Sequence, residues 1–233
     1  MRQIVLDTET TGLEPSQGHR IIEIGCIEII NRRITENTYH QFIRPDREID
    51  EGAFEVHGIS TEFLADKPRF ADVVEDFMAF VNGAELVIHN APFDVGFINH
   101  ELNMLDPVWG QVADHCQITD SLVMARKKHP GQKNNLDALC KRYGVNNARR
   151  ELHGALLDAE LLAEVYLFMT GGQENLFQSG QTGEGASSAN ISPIRRVDKN
   201  RPALKVIHAS VEELEAHQKN LQKLGDECVW TKS

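Results

Sequence analysis

The chain has 233 residues, of which 41% are hydrophobic and 25% charged, a composition typical of an ordinary soluble protein. Its net charge of −11 lies entirely in residues 1–172, because residues 173–233 contain eight basic and eight acidic side chains. Affinity for phosphate comes mainly from Lys and Arg, so this charge by itself argues against a protein that binds nucleic acid passively.

Other features of the sequence exclude a membrane-spanning or disulfide-stapled protein. No stretch is long and apolar enough to cross a bilayer, and Met1 leads into a short strand instead of a signal peptide. The cysteines are scattered without a C-x-x-C pair, which argues against a zinc site and fits a reducing cytoplasm. We therefore expect a cytoplasmic protein.

The predicted elements begin with three strands, over about 2–8, 20–30 and 38–43, which form an antiparallel meander. Hydrophobic periodicity and capping residues then predict alternating helices and strands: helix 70–81, strand 85–90, helix 93–105, strand 118–119, and helices 121–128, 135–143 and 154–169. This order predicts an α/β fold with a mixed sheet, in which parallel strands extend the meander and helices cover both faces.

The composition changes after Gly172. Residues 178–190 are rich in Ser, Gly, Gln and Thr and are typical of a flexible linker. Order is predicted to resume with a strand over 203–208, a helix opened by the capping box Ser210-x-x-Glu213, and a short strand over 228–230. About thirty residues cannot build a stable core alone, so residues 203–233 are predicted to be a docking segment.

Asp7 and Glu9 follow the apolar run Ile4-Val5-Leu6, which predicts a buried strand. Side chains alternate along a strand, so the two carboxylates project to the same side and repel each other. Hard cations such as Mg²⁺ or Mn²⁺ take oxygen ligands and would relieve that repulsion. Taken alone, the pair could also be a solvated strand end.

Three further residues could complete such a site. Asp94 lies in the first helical turn after a buried strand, where the helix dipole favours a carboxylate. Asp158 lies one turn after the small residues Gly154 and Ala155, which leave room for a metal or phosphate, and His153 opens that helix. Two-metal phosphoryl transfer needs several carboxylates and a base, and histidine suits the base role.

Three motifs carry a family resemblance: Asp7-Thr8-Glu9-Thr10-Thr11-Gly12, Asn90-Ala91-Pro92-Phe93-Asp94 and His153-Gly154-Ala155-x-x-Asp158. In this order they resemble the exonuclease motifs of the DEDDh superfamily. Within it, nearly the whole chain resembles the proofreading subunits of bacterial DNA polymerase III.

The resemblance implies an RNase H-like fold and a 3′→5′ exonuclease with two divalent metal ions, Mg²⁺ or Mn²⁺. Asp7 would bridge both ions, Glu9 and Asp158 would complete the first, and Asp94 would serve the second through water. His153 would be the general base. The residues expected to line the terminal-nucleotide pocket are Thr10, Thr11, Gly12, His57 and Phe93, the last of which could equally be a core aromatic.

Two segments after Gly172 are expected to bind partners. Gln173, Leu176 and Phe177 fit the Q-x-x-L-F pattern of sliding-clamp ligands, although they could also be chance apolar residues at a helix end. The tail resembles the segment that binds the polymerase alpha subunit, and the residues expected to dock are Val211, Leu214, Leu221, Leu224 and Trp230. The predicted domains are thus 1–172 (exonuclease), 173–202 (linker) and 203–233 (docking segment).

The sequence therefore predicts a nucleoid-associated proofreading exonuclease that acts on single-stranded or frayed DNA 3′ ends. A stand-alone DEDDh exoribonuclease is the near alternative, but it would need neither the clamp motif nor the tail. A non-catalytic scaffold on the same fold would be expected to lack one or more of the four acids. The presence of a further small stabilising subunit is left open.

Overall fold

A five-stranded mixed sheet organises the protein in a computed structural model that describes residues 1–148, 150, 152–171 and 208–223. The strand order is β3-β2-β1-β4-β5. The antiparallel pairs β1–β2 and β2–β3 form the predicted meander, and β1–β4 and β4–β5 are parallel. The strands are β1 (Arg2–Thr10), β2 (Ile21–Ile30), β3 (Arg33–Phe42), β4 (Glu85–Ile88) and β5 (Gln117–Asp120).

Helices pack on both faces of the sheet, as the sequence predicts. The helices of this unit are α1 (Glu51–His57), α2 (Thr61–Leu64), α3 (Phe70–Val81), α4 (Ala91–Leu105), α5 (Val112–His115), α6 (Ser121–Lys128), α7 (Leu136–Tyr143) and α8 (Ala155–Thr170). On one face of the sheet Ile4 and Leu6 of β1 join a core with α3 and α4, and on the other face Val5 joins a core with α7 and α8.

Parallel pairing brings the carboxyl ends of three strands to one edge of the sheet. Leu6 of β1 is in register with Ile88 of β4, which is in register with Asp120 of β5. The residues that follow these positions therefore meet at the same edge, which is where ligands bind in sheets of this kind. Asp7 and Glu9 lie there, and α4 starts there with Asp94 in its first turn.

Helix α8 crosses β2 at very short range. A Cβ atom on Gly25 would clash with the backbone of Ala155 and Leu156, so only glycine allows this approach. The contact sets the position of the first turn of α8, which carries Asp158.

The structure differs from the sequence prediction in three short helices and in one strand of this unit. Helices α1, α2 and α5 were not predicted because all three are short, and the exposed hydrophobic residues of α1 and α2 give no clear periodicity. Strand β3 begins at Arg33 instead of residue 38, since its first half is mostly exposed and polar and lacks the pattern of a buried strand.

The chain divides into two compact units, Met1–Leu176 and Phe177–Ser233. In the second unit the structure describes helix α9 (Val211–Lys223), opened by the predicted capping box: Ser210 N–H donates to Glu213 Oε2 and Glu213 N–H to Ser210 Oγ. The predicted strand over 203–208, apart from its last residue, and the predicted strand over 228–230 lie outside the described residues. In the described part of the chain, no helix has the length and hydropathy needed to cross a membrane.

Candidate active site

Five residues that the sequence selects, Asp7, Glu9, Asp94, His153 and Asp158, line one pocket of about 330 Å³ at the carboxyl edge of the sheet. Strand β1 contributes the first two, α4 contributes Asp94, and α8 with the residue preceding its N-cap contributes the others. Three separate segments thus converge on one point.

Asp94 is fixed by the strand beside it. Its Oδ1 atom accepts the Thr8 backbone N–H at 3.1 Å and the Thr8 hydroxyl at 2.7 Å. The preceding turn places Asn90 in the left-handed region (φ 71°) and Pro92 in the first turn of α4. The carboxylate is 3% exposed, so its orientation is set by these two hydrogen bonds and by packing.

Three of the carboxyl groups have raised pKa values. Burial, followed by the charges of Asp94, Glu9 and Asp158, raises the pKa of Asp7 well above its usual range. Burial and neighbouring carboxylates raise the pKa of Glu9 to about 8. Burial raises the pKa of Asp94 to about 7, although the Thr8 hydrogen bonds act against it. Cations that bind between such close, buried carboxyl groups would stabilise their charged forms.

Asp158 has the opposite shift, because a cation of the chain already contacts it. Burial alone would raise the pKa of Asp158, but hydrogen bonds from His153 and Arg150 outweigh burial and lower it. Arg150 binds both carboxylate oxygens, with Nε–Oδ1 at 2.6 Å and Nη2–Oδ2 at 2.7 Å, and its Nη1 lies 2.6 Å from Asp137. This two-point contact is the strongest geometry for an Arg–carboxylate pair.

His153 stands at the mouth of the pocket with its side chain 46% exposed. Its Nδ1 lies 3.2 Å from Asp158 Oδ2 and 2.9 Å from Arg150 Nη2, and its backbone N–H donates to the Val56 carbonyl. Ligand atoms of Glu9, His153 and Asp158 all lie within 4.8 Å of one another. The imidazole is thus within reach of the carboxylates and remains open to solvent.

The start of α8 is held by a buried glutamate of β2. Glu23 Oε2 accepts the Ala155 backbone N–H at 3.1 Å, and Glu23 Oε1 lies 2.7 Å from His40 Nε2. The N-cap residue of α8, Gly154, has no side chain to do this. Glu23 therefore binds a free N–H at the start of α8, between His153, which precedes the helix, and Asp158 in its first turn.

A second pocket of about 350 Å³ adjoins the first and shares Thr8, Glu9 and Phe93 with it. Its lining is largely apolar and includes four of the five residues expected to contact a terminal nucleotide. These are Thr10, Gly12, His57 and Phe93.

The remaining residue of that set, Thr11, does not line the pocket. Its side chain is fully buried, with its hydroxyl 3.1 Å from His19 Nδ1 and accepting the Arg20 backbone N–H. Phe93 packs on Phe97 with ring centroids 5.0 Å apart while one side faces the pockets, so the two interpretations of this aromatic are compatible.

Comparison with known proteins identifies the family. Residues 4–166 match the exonuclease family RNase_T. The DNA polymerase III subunit epsilon of Salmonella typhimurium is 51% identical, with 98% of this chain and 97% of that protein covered. Its counterpart in Escherichia coli is 50% identical over the same shares. This chain belongs to the epsilon subunit family of exonucleases.

Solved structures agree with this assignment. Exonuclease X bound to 5′-overhanging duplex DNA is 27% identical with a TM-score of 0.58, covering 77% of this chain and 94% of that one. An exonuclease I from Methylocaldum szegediense has a TM-score of 0.63 at 21% identity and supports the fold alone. The predicted RNase H-like fold of this epsilon-family chain is therefore confirmed.

The residues expected to bind protein partners are only partly described. Val211 and Leu214 are exposed on α9, and Leu221 is half-buried. Gln173, Leu176, Phe177, Leu224 and Trp230 lie outside the described residues.

Arg150 and Glu23 contact the site without having been predicted from the sequence. Arg150 lies in an irregular segment between two helices, where no periodicity marks it. Glu23 is one of two acids in β2, a strand rich in β-branched residues, and its burial at 4% exposure is the result of α8 crossing that strand.

Proposed function

We propose that this epsilon-family chain is the 3′→5′ proofreading exonuclease subunit of a replicative DNA polymerase, and that the site residues are Asp7, Glu9, Asp94, Asp158 and His153. The observation that carries the proposal is the convergence of these four carboxylates and one histidine in a single pocket. A non-catalytic scaffold would have no use for close carboxyl groups whose pKa values are raised by burial and by mutual repulsion.

The residues fit divalent metal ions, on which this exonuclease family depends. All four carboxyl groups offer the oxygen ligands that Mg²⁺ and Mn²⁺ take. We propose that Asp7, Glu9 and Asp158 would hold one ion and that Asp7 and Asp94 would hold a second. Bound ions would stabilise charge on the attacking and leaving oxygens of the phosphodiester.

His153 is proposed as the general base. Its imidazole lies beside Asp158 and is open to solvent, so it can accept a proton from the attacking water and pass it to bulk water. Attack on phosphorus breaks the bond to the 3′ oxygen of the preceding nucleotide. The products are a nucleoside 5′-monophosphate and a strand shortened by one residue, whose new 3′ hydroxyl takes up a proton.

The apolar second pocket is proposed to hold the terminal nucleotide. Phe93 lies between the two pockets and can pack against the base or sugar. His57 accepts the Ile59 backbone N–H at Nδ1, and its Nε2 has no hydrogen-bond partner among the described residues, so it is available to a ligand.

Partner contacts complete the proposal. We propose that Gln173, Leu176 and Phe177 bind the sliding clamp, and that residues 203–233 dock on the polymerase alpha subunit. Exposed Val211 and Leu214 on α9 support the second contact, because solvent-facing apolar residues on one helix suit a partner groove. The chain would then act in the cytoplasm at the nucleoid.

Digestion of a primer with a 3′ mismatch in Mg²⁺ tests the site. Asp7→Ala and His153→Ala should each lose at least about 100-fold in rate, in line with the loss of a metal ligand or a general base. Asp76→Ala, which removes an exposed acid of α3, should keep full activity and serves as the control. Full activity of Asp7→Ala with a native circular dichroism spectrum would reject the proposed site. Faster trimming of short RNA than of mismatched DNA would favour the exoribonuclease alternative.

A further inference from the structure

We propose that a basic groove beside the catalytic pocket binds the phosphodiester backbone of the strand whose 3′ end is being cut. The groove is formed by α6, the loop 129–135 and the start of α7. Arg126 lines it, and Lys127, Lys128 and Lys133 are exposed on the segments that border it. This inference rests on the proposed exonuclease function and adds to it a binding surface for nucleotides upstream of the scissile bond.

The groove is continuous with the catalytic pocket. It forms a depression of about 380 Å³ lined by His89, Asn90, Asn135 and Arg126, together with residues of the loop. The first three of these also line the catalytic pocket. A strand leaving the catalytic pocket along this side would enter the depression that Arg126 lines.

The charge of this segment is opposite to that of the rest of the unit. Residues 121–142 contain six basic side chains and one acidic one, whereas residues 1–172 as a whole contain 16 basic and 27 acidic side chains. The one acid, Asp137, is already in contact with Arg150 at 2.6 Å. The groove is therefore a local positive surface on an acidic unit, and such surfaces attract phosphates.

Among the described residues these cations have no acidic partner, in contrast to several other cations of the first unit. Elsewhere in the first unit Arg2, Arg20, Arg47, Lys67 and Arg69 each pair with a carboxylate. Within the described residues, Arg126, Lys127, Lys128 and Lys133 form no ion pair, and all four are exposed. The dipole of α6 explains cations in its last turn, but it does not explain Lys133 in the following loop.

The loop that carries Lys133 is held in place. Buried Asn134 donates from Nδ2 to the carbonyls of His129 and Gln132, at 3.2 and 3.0 Å. Its Oδ1 accepts from Arg142 Nη1 at 3.1 Å, and Arg142 Nη2 donates to the Lys133 carbonyl at 2.8 Å. A fixed loop presents its cation without further ordering, which favours binding of an extended strand.

The test compares two variants with the same change in charge and residue type. Arg126→Gln/Lys133→Gln removes cations of the groove, and Arg33→Gln/Lys67→Gln removes two cations elsewhere, one on edge strand β3 and one beside α2. Each variant is assayed on a single-stranded DNA 12-mer and on the p-nitrophenyl ester of thymidine 5′-monophosphate, which has no upstream nucleotides.

We expect the groove variant to lose about 10-fold in kcat/KM on the 12-mer, mainly through KM, and to hydrolyse the ester at the wild-type rate. Its plot of log kcat/KM against log salt should be shallower by about 1.4, since each lost single-strand phosphate contact removes about 0.7 from the slope. The control variant should match the wild type on both substrates.

Equal rates of the groove and control variants on the 12-mer would overturn the proposal, as would equal losses on both substrates. Full activity on DNA combined with lost binding to the polymerase alpha subunit would assign the groove to a protein contact, and so also overturn it. If the wild type hydrolyses neither substrate, the proposed exonuclease function itself fails. If only the groove proposal fails, the wild type still hydrolyses the ester.

Discussion

Replacing Arg150 by glutamine should destabilise the metal-free protein far more than the metal-bound protein. Arg150 contacts both oxygens of Asp158, one oxygen of Asp137 and Nδ1 of His153. Without metal it is the cation that neutralises the carboxylates of α8 and α7. Glutamine keeps much of the side-chain volume and removes the charge, so the variant isolates this electrostatic role.

The magnitude follows from how deeply each partner is buried. Asp158 is 2% exposed, and removing one partner of a buried ion pair costs about 3–5 kcal/mol. Asp137 is 55% exposed, so its contact adds little after screening by water. Asp158 can also take up a proton once Arg150 is gone, which lowers the expected loss to roughly 2–3 kcal/mol. For a unit of this size that is about 5–10 °C in thermal midpoint.

Thermal unfolding in EDTA and in saturating Mn²⁺ measures this difference. Because a bound cation would neutralise Asp158 in place of Arg150, the loss in midpoint should shrink to less than half in Mn²⁺. Titration calorimetry should show that the variant binds Mn²⁺ at least as tightly as the wild type, since no guanidinium has to leave the carboxylate.

Arg32→Gln is the matched control, because Arg32 donates to Thr170 Oγ1 and the Leu167 carbonyl and, among the residues that the structure describes, to no carboxylate. Its loss of stability should be the same with and without metal. If Arg150→Gln loses as much in Mn²⁺ as in EDTA, Arg150 acts only as a structural contact and the electrostatic reasoning is refuted.

Three further predictions concern the same site. The pKa values of Glu9 and Asp94 are raised to about 8 and about 7, from ordinary carboxyl values of 4.5 and 3.8. Between these values the metal-free folded protein binds more protons than the unfolded chain, so its thermal midpoint in EDTA should fall as the pH rises from about 5 to 8. A midpoint that does not change with pH would contradict this. Gly25→Ala should move α8, lower the free energy of unfolding in chemical denaturation by about 1–3 kcal/mol and lower kcat at least about 10-fold. Gly96→Ala is the control: its Cβ would enter open space, so kcat should be unchanged and the stability unchanged or slightly higher. Glu23→Ala should lower kcat about 10-fold with little change in KM, because it removes the acceptor of the N–H at the start of α8. Glu23→Gln keeps an oxygen that can accept this N–H and should retain most of the wild-type kcat. Equal losses of kcat in the two variants would reject the capping role.

Much of this site could be predicted because strand geometry is local. The alternation of side chains along β1 was enough to place Asp7 and Glu9 on one side, and the strand followed by Pro92 was enough to place Asp94 in a first helical turn. The apolar pattern of the strands likewise predicted a mixed sheet with two covered faces, which the two cores confirm.

The remaining features depend on contacts between segments that are distant in the sequence. Glu23 and Ala155 are 132 positions apart, and only the crossing of α8 over β2 shows that a strand residue caps a helix. The burial of Thr11 against His19 is another such case, since a Thr-Thr-Gly turn gives no sign of which hydroxyl faces inwards. Arg150 belongs to a segment without regular structure, so no periodic pattern could connect it to Asp158.

The charge distribution explains how an acidic unit can act on DNA. The catalytic pocket repels phosphate until cations occupy it, because Arg150 is the only arginine or lysine among the described residues that contacts its carboxylates. The basic groove offers only a few phosphate contacts, so the affinity it supplies is weak at physiological salt. Weak binding suits a proofreading subunit, since a matched primer end is then released to the polymerase. A tether to the polymerase would compensate for this weak affinity, because it raises the local concentration of DNA ends. The proposed docking segment and the weak groove are therefore compatible with each other.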